Sequence, residues 1–376
     1  MTRINSSDTF STAKRVVVKI GSALIAEHGH ARQDWLTSLA TDISDLRANG
    51  QEVILVSSGA IALGRNRLGP DRPKKLEEKQ AAAALGQPLL MTAMTTAFAP
   101  HEVTVAQALL TLDDTENRRR WLNARATLDT LLSAGVVPII NENDSVATDE
   151  IRYGDNDRLA ARVAQMVGAD VLILLSDVDG LYTADPRTDD SAEHIARVTE
   201  LTAEHEMMAG DINQNADLGS GGMTTKLAAA RIAQSAGCTT VITLGTPQRP
   251  IRTLLEGGRA TWILSELTPD KAREVWLKGH LTPEGAVHVD AGASSALNQG
   301  ASLLPVGVTR IEGEFLRGAA VAIKDPAGAT IAKGIIAYSS EDAARIAGLQ
   351  SDQIARELGY RGRPALVHRN DLVLEG

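Results

Sequence analysis

Val16-Val17-Val18-Lys19-Ile20-Gly21-Ser22 is the stretch that decides the fold. Three β-branched residues in a row describe a strand that is apolar on both faces, as the strands of parallel sheets are, and the strand ends in a lysine followed by a glycine. In open α/β sheets ligands sit in the crevice outside the carboxyl ends of the strands. Gly21 lets the backbone come close to an anion and Lys19 supplies charge, so the stretch predicts a phosphate site where the first strand opens. On these residues alone, a lysine snorkelling from a strand end explains the pattern equally well.

Outward from there the chain alternates apolar runs with helix-period segments. Strands are expected at 15–20, 52–57, 104–110, 136–141, 171–176 and 240–244, and helices at 34–48, 77–98, 118–133, 156–167 and 223–235. This is the signature of βαβ units, with connections long enough to cross over and cover a sheet face. The alternation stops near 267–278. Beyond it lie short glycine-punctuated runs at 286–289, 302–304, 308–312, 320–324, 330–337 and 365–368, with helices expected at 293–299 and 340–346, which reads as a small β-barrel or sandwich. The expected division is a catalytic domain at 1–266, a linker or linking helix at 267–279 and a second domain at 280–376.

Composition excludes several classes. The chain has 376 residues, 38 Lys and Arg against 47 Asp and Glu, and a net charge of −9, which argues against a general polyanion binder. Its one cysteine, Cys238, rules out an internal disulfide framework and a multi-cysteine zinc site, and with no membrane-length apolar run or signal sequence the expected location is the cytoplasm. Neither HExxH nor GxSxG occurs, and no protein metal ligand is singled out.

Five polar stretches lie beyond the expected strands. Ser57-Ser58-Gly59-Ala60 gathers hydroxyls and N–H groups at the sheet edge that holds Lys19; the alternative is an N-capped helix start. Asn141-Glu142-Asn143-Asp144 and Gly154-Asp155-Asn156-Asp157 carry more carboxylates and carboxamides than strand ends need for stability, since each must find a partner when desolvated. They suit an α-ammonium group or cations; for Asp157 the alternative is a helix cap. Ser176 and Asp177 open a polar loop after the most apolar strand. Gly219-Ser220-Gly221-Gly222-Met223-Thr224-Thr225-Lys226 resembles a phosphate cradle at a helix start, although it is neither a Walker A loop nor GxGxxG. Two lysines far apart in sequence, both at sheet-edge glycine turns, suggest phosphoryl transfer flanked from two sides.

Taken in order, Val-Val-Lys-Ile-Gly-Ser, Ser-Ser-Gly-Ala-Ile-Ala, Ile-Asn-Glu-Asn-Asp-Ser, Gly-Asp-Asn-Asp, Gly-Leu-Tyr-Thr-Ala-Asp-Pro and Gly-Gly-Met-Thr-Thr-Lys resemble the amino-acid kinase family across nearly all of 15–264, on its glutamate-phosphorylating branch. The resemblance implies a three-layer αβα fold with a mainly parallel central sheet. It implies transfer of phosphate from ATP, with Mg2+, to the γ-carboxylate of L-glutamate, as the first step of proline synthesis, with L-proline as feedback inhibitor. Lys19 and Lys226 would neutralise the transferring group and Asp157 would orient them. Ser58, Asp144 and Asn156 would hold glutamate. Lys19, Ser176, Asp177, Ser220, Gly221, Gly222, Met223, Thr224, Thr225 and Lys226 would contact ATP. A homo-oligomer, dimer or tetramer, and hand-over of the labile product to glutamyl phosphate reductase are further expectations.

The C-terminal stretches Gly285-Ala-Val-His-Val-Asp-Ala-Gly-Ala, Ser302-Leu-Leu-Pro-Val-Gly-Val and Gly313-Glu-Phe-Leu-Arg-Gly are similar to a PUA domain. Such domains occur in RNA-modifying enzymes. Residues 275–376, however, hold ten Lys and Arg against eleven Asp and Glu, with Trp276, Phe315, Tyr338 and Tyr360 as their aromatic residues, so the basic stripe and stacking platform of an RNA binder are missing. A regulatory or assembly role is expected instead. The competing readings are a related kinase acting on another carboxylate or on carbamate, and an RNA-binding protein acting through the second domain.

Overall fold

The computed structural model describes residues 10–69, 75–146, 155–209 and 222–375, the side chains of Asp155 and His280 excepted. The chain divides into two compact units, Met1–Pro269 and Asp270–Gly376.

In the first unit an eight-stranded sheet is formed by β1 (Arg15–Ile20), β2 (Glu52–Ser57), β3 (Val105–Leu110), β4 (Val137–Glu142), β5 (Val171–Ser176), β6 (Arg197–Val198), β7 (Thr239–Leu244) and β8 (Ala260–Ile263). Their order is β6-β8-β7-β5-β1-β2-β4-β3. Six strands run parallel, with β1 central between β2 and β5. At one edge β8 runs antiparallel to β7, and β6 follows β8. The sequence reading ends at β7 and misses this reversal, because β8 has four residues and β6 two, too few to show a period.

Alternation along β1 sorts its side chains to two cores. Val16, Val18 and Ile20 pack with Trp35, Leu36 and Ile43 of α1 (Gln33–Ala48) and Leu90, Met94 and Phe98 of α2 (Leu76–Phe98). Val17 faces the other way, in a core with Leu128 of α3 (Arg118–Ser133), Leu159 and Val163 of α4 (Asp155–Val167) and Leu227 and Ala230 of α5 (Met223–Ser235). The result is the three-layer αβα arrangement. Lys19 shares the parity of Val17, so it leaves the strand end toward α4 and α5.

A short helix, Ala60–Gly64, follows β2 and lies against α2 at backbone contact. Its N-cap is Gly59 in the left-handed region (φ 92°), with no side-chain cap, so the hydroxyls of Ser57 and Ser58 do not serve the helix start. After β7, α6 (Pro250–Leu255) is fastened to α1: Asp42 accepts from the Ile251 backbone N–H at 2.8 Å and from Arg249 Nε at 2.5 Å.

The second unit opens within α7 (Pro269–His280), whose first residue closes the first unit and which covers most of the stretch read as a linker. Its five-stranded sheet comprises β9 (Gly285–Val289), β10 (Val308–Glu312), β11 (Ala320–Lys324), β12 (Thr330–Ile336) and β13 (Val367–Leu374), in the order β10-β9-β11-β12-β13. All its pairings are antiparallel except β9 with β11. Val287, Leu297, Val321, Ile323, Ile336, Ile346 and Leu366 fill its core. The strand expected at 302–304 is a single bridge from Leu303 to Val367, and the run expected at 365–368 starts later and extends to Leu374.

Candidate active site

Lys19, Asp157 and Lys226 meet at the carboxyl end of β1. Lys19 Nζ lies 2.6 Å from Asp157 Oδ1, and Lys226 Nζ lies 3.8 Å from Asp157 Oδ2. All three are buried, at 5%, 0% and 4% exposure, so two ammonium groups and one carboxylate share a site largely shut off from water. Asp157 is the third residue of α4 and pairs with the lysines instead of capping the helix; Lys226 is the fourth residue of α5. Burial alone would raise the Asp157 pKa, but the charges of Lys19 and Lys226 and the Thr225 hydroxyl outweigh it and hold the carboxyl below its ordinary 3.8. Burial lowers the Lys226 pKa from 10.5; Asp157 opposes the shift and Lys19 adds to it. The arrangement is a buried pair of cations kept together by one carboxylate, with net positive charge facing the crevice where a parallel sheet binds ligands.

Next to this trio, at the ends of β2 and β4, Asn156 Nδ2 donates to Ser58 Oγ at 2.9 Å and reaches Asn141 Oδ1 at 3.4 Å. Asn141 Oδ1 also accepts from the Glu142 backbone N–H at 2.9 Å. This fixes the Asn156 amide with its nitrogen toward Ser58, and leaves Asn156 Oδ1 buried with no hydrogen-bond donor among the described residues. A buried carbonyl acceptor of this kind costs stability until a donor fills it, and an ammonium group is such a donor. Asp144, two residues beyond β4, is buried as well. Residues 147–154, including Gly154 of the expected ligand loop, lie outside the described residues.

Ser176 ends β5 and its hydroxyl donates to Asp177 Oδ1 at 3.0 Å, with Asp177 itself exposed. Across from them, Gly222 caps α5, followed by Met223, Thr224 and Thr225. Ser220 and Gly221 fall outside the described residues. Gly21 has φ −70° and Gly222 φ −60°, conformations open to any residue. A Cβ at Gly21 would meet only Leu175 O, at 3.9 Å, and one at Gly222 nothing within 4 Å of the described residues. Neither backbone conformation nor packing requires glycine there; each leaves room for a group to approach the main chain. Gly21 is therefore explained by space, not by an unusual turn.

Sequence reading thus names the residues that gather here, but not their partners. Thr225, expected to contact ATP, bonds Asp157; Asn141, read only as part of a polar cluster, orients Asn156. Among the described residues there is no group of three or more His, Cys, Asp or Glu side chains placed to hold a metal, and no helix long and apolar enough to cross a membrane.

Residues 14–244 match the model of the amino acid kinase family, and residues 285–358 that of the PUA domain. The chain belongs to the amino acid kinase family and carries a PUA domain. Within that family it stands with the glutamate 5-kinases. It is 57% identical to "Glutamate 5-kinase" of Paramagnetospirillum magneticum over 97% of this chain and 99% of the relative. Proteins of the same name from Caulobacter vibrioides and Gluconobacter oxydans are 56% and 53% identical, over 98% of both chains and 100% of both chains.

Proposed function

We propose that this chain transfers the γ-phosphoryl group of ATP to the γ-carboxylate of L-glutamate, giving L-glutamyl 5-phosphate and ADP, the first step of proline synthesis. The observation that carries this reading is the buried Lys19–Asp157–Lys226 trio at the central strand end. A carboxylate acceptor is already ionised at neutral pH and needs no general base, so what the protein must supply is alignment and neutralisation of charge on the phosphoryl oxygens. Lys19 and Lys226 supply the charge, in a site where low water content makes it count. Asp157 keeps both ammonium groups in place and opposes the lowering of the Lys226 pKa by burial. Lys226, in the first turn of α5, also draws on the positive end of that helix.

Glutamate is held on the β2–β4 side. Asn156 Oδ1 and Asp144 receive its α-ammonium group, and Ser58 fixes a carboxylate oxygen. The same acceptors suit L-proline, whose ring ammonium and carboxylate match glutamate's α-substituents, which supports proline as an inhibitor at this pocket. ATP lies over Gly21 and the start of α5, with Ser176 and Asp177 at its far side. Mg2+ fits as part of the nucleotide substrate: it neutralises phosphate charge and needs only one or two carboxylates. Asp157 is committed to the lysines and is not its ligand. Catalysis is assigned to residues 1–266, and regulation or assembly to the PUA unit.

The test is ADP release from MgATP with L-glutamate, with N-acetylglutamate and with no acceptor. Turnover with L-glutamate alone supports the reading. Turnover with N-acetylglutamate instead would overturn the assignment of Asn156 and Asp144 to a free ammonium group.

A further inference from the structure

We infer that Thr225 is a positioning residue for the lysine pair, acting through Asp157 and not through the nucleotide. This rests on the proposed function of the trio. Thr225 Oγ1 lies 3.0 Å from Asp157 Oδ2 and 2.8 Å from Gly222 O, and a hydroxyl has one proton to give. Two facts send that proton to Asp157. Gly222 O already accepts the backbone N–H groups of Thr225 and Lys226, at 3.1 and 3.4 Å. Asp157 is ionised between two ammonium groups and cannot donate, so a hydroxyl turned toward Gly222 would leave two oxygen lone pairs opposed at 3.0 Å.

The consequence lies in the geometry of the carboxylate. Lys19 grips Oδ1 at 2.6 Å, whereas Lys226 is 3.8 Å from Oδ2, beyond direct hydrogen-bond distance. Without a second anchor, Asp157 is free to turn toward Lys19 and away from Lys226. Thr225 is that anchor: it sits one residue before Lys226 on the same helical turn, so a single hydroxyl ties α5 to α4 at the point where Lys226 must be held. Among the described residues, charged groups that bear on Lys226 include Asp157 from α4, Lys19 from β1 and Asp177 from the loop after β5. Of these, Asp157 is the one Thr225 touches.

The experiment compares wild type, Thr225→Val and Thr225→Ser as full chains, by kcat, by KM for ATP and L-glutamate, and by the pH dependence of kcat. Valine keeps the shape and removes the hydroxyl; serine keeps the hydroxyl. Thr225→Val is expected to lower kcat about 10- to 100-fold, the effect of a hydrogen bond to a charged group, with both KM values within about twofold of wild type, as for an interaction that matters only in the transition state. Its alkaline limb is expected at lower pH, because the Asp157 carboxylate is held less firmly toward Lys226. Thr225→Ser is expected within about threefold of wild type with an unmoved limb. A Thr225→Val enzyme with wild-type kcat, or one whose KM for ATP rises while the alkaline limb stays put, would overturn the inference and return the hydroxyl to the nucleotide. A Thr225→Ser enzyme as impaired as the valine variant would overturn it too. Wild-type turnover on L-glutamate in the same assay keeps the proposed function separate: its failure would be failure of that reading, not of the role of Thr225.

Discussion

Gly86→Ala is expected to damage both stability and substrate binding through one steric event. A Cβ at Gly86 would lie 1.8 Å from Ala60 O, 2.5 Å from Ala60 C and 3.0 Å from Gly64 N, against 3.4 Å or more for ordinary contact. The obstacle is backbone, so no side chain can rotate away; α2 and the Ala60–Gly64 helix must separate by about 1.5 Å, which forfeits a large part of the dispersion contact along their crossing. Overpacking of this kind costs about 3 kcal/mol at the upper end of its usual range. Replacing a helical glycine by alanine returns about 1 kcal/mol, too little to offset it. For a unit of this size the net loss of about 2 kcal/mol lowers the melting temperature by roughly 4 °C. Because Ala60 follows Ser58 and Gly59 directly, the displaced helix also shifts Ser58 against Asn156, which raises KM for L-glutamate more than KM for ATP. Differential scanning calorimetry and initial-rate kinetics read both effects. Gly279→Ala in α7, where a Cβ meets nothing within 4 Å among the described residues, is the matched control and is expected to leave both unchanged or slightly improve stability. A Gly86→Ala chain that melts within about 1 °C of wild type with unaltered KM for glutamate would refute the reasoning.

Two further outcomes follow from the charged trio. Lys226→Ala is expected to lower kcat by about 10²–10³-fold, the loss typical of one preorganised donor, with KM for L-glutamate largely intact; normal turnover would remove Lys226 from the chemistry. Asp157→Asn removes the carboxylate shared by two buried ammonium groups and is expected to cost about 3 kcal/mol of stability at pH 7, measured by urea unfolding. The sign with pH is fixed by the lowered Asp157 pKa: the carboxylate's contribution is complete above 3.8, the ordinary value it has when unfolded, and is lost as pH falls through the lower folded value. The gap between wild type and Asp157→Asn is therefore expected to narrow below pH 3.8; a gap that stays constant would count against the ion pairing.

What the sequence makes legible is what repeats or what clusters. The parallel strands stand out because a strand buried on both faces must be apolar throughout, and β1, β2 and β5 have no other way to read. The candidate site residues stand out because glycine, lysine and carboxamides at strand ends are costly unless something uses them; the structure brings Lys19, Asp157 and Lys226 together, with Asn156 beside them. What stays hidden is pairwise. Asp157 and Thr225 are 68 positions apart, Asn156 and Ser58 98 apart, and no local period can announce such partners. The same holds for Gly64 and Gly86, which look like weak points in helix-forming stretches until two backbones are seen to touch there, and for β8, whose reversal depends on the turn after α6 instead of on its own four residues. Distance along the chain also explains why the two lysines depend on each other. Lys19 is fixed by the central strand, but Lys226 reaches the site only because α4 and α5 pack on the same sheet face, so the charge of the site is set by a helix–helix contact. Under the proposed role of Lys226, a change in how α5 seats on α4 is expected to act on phosphoryl transfer before it touches any substrate.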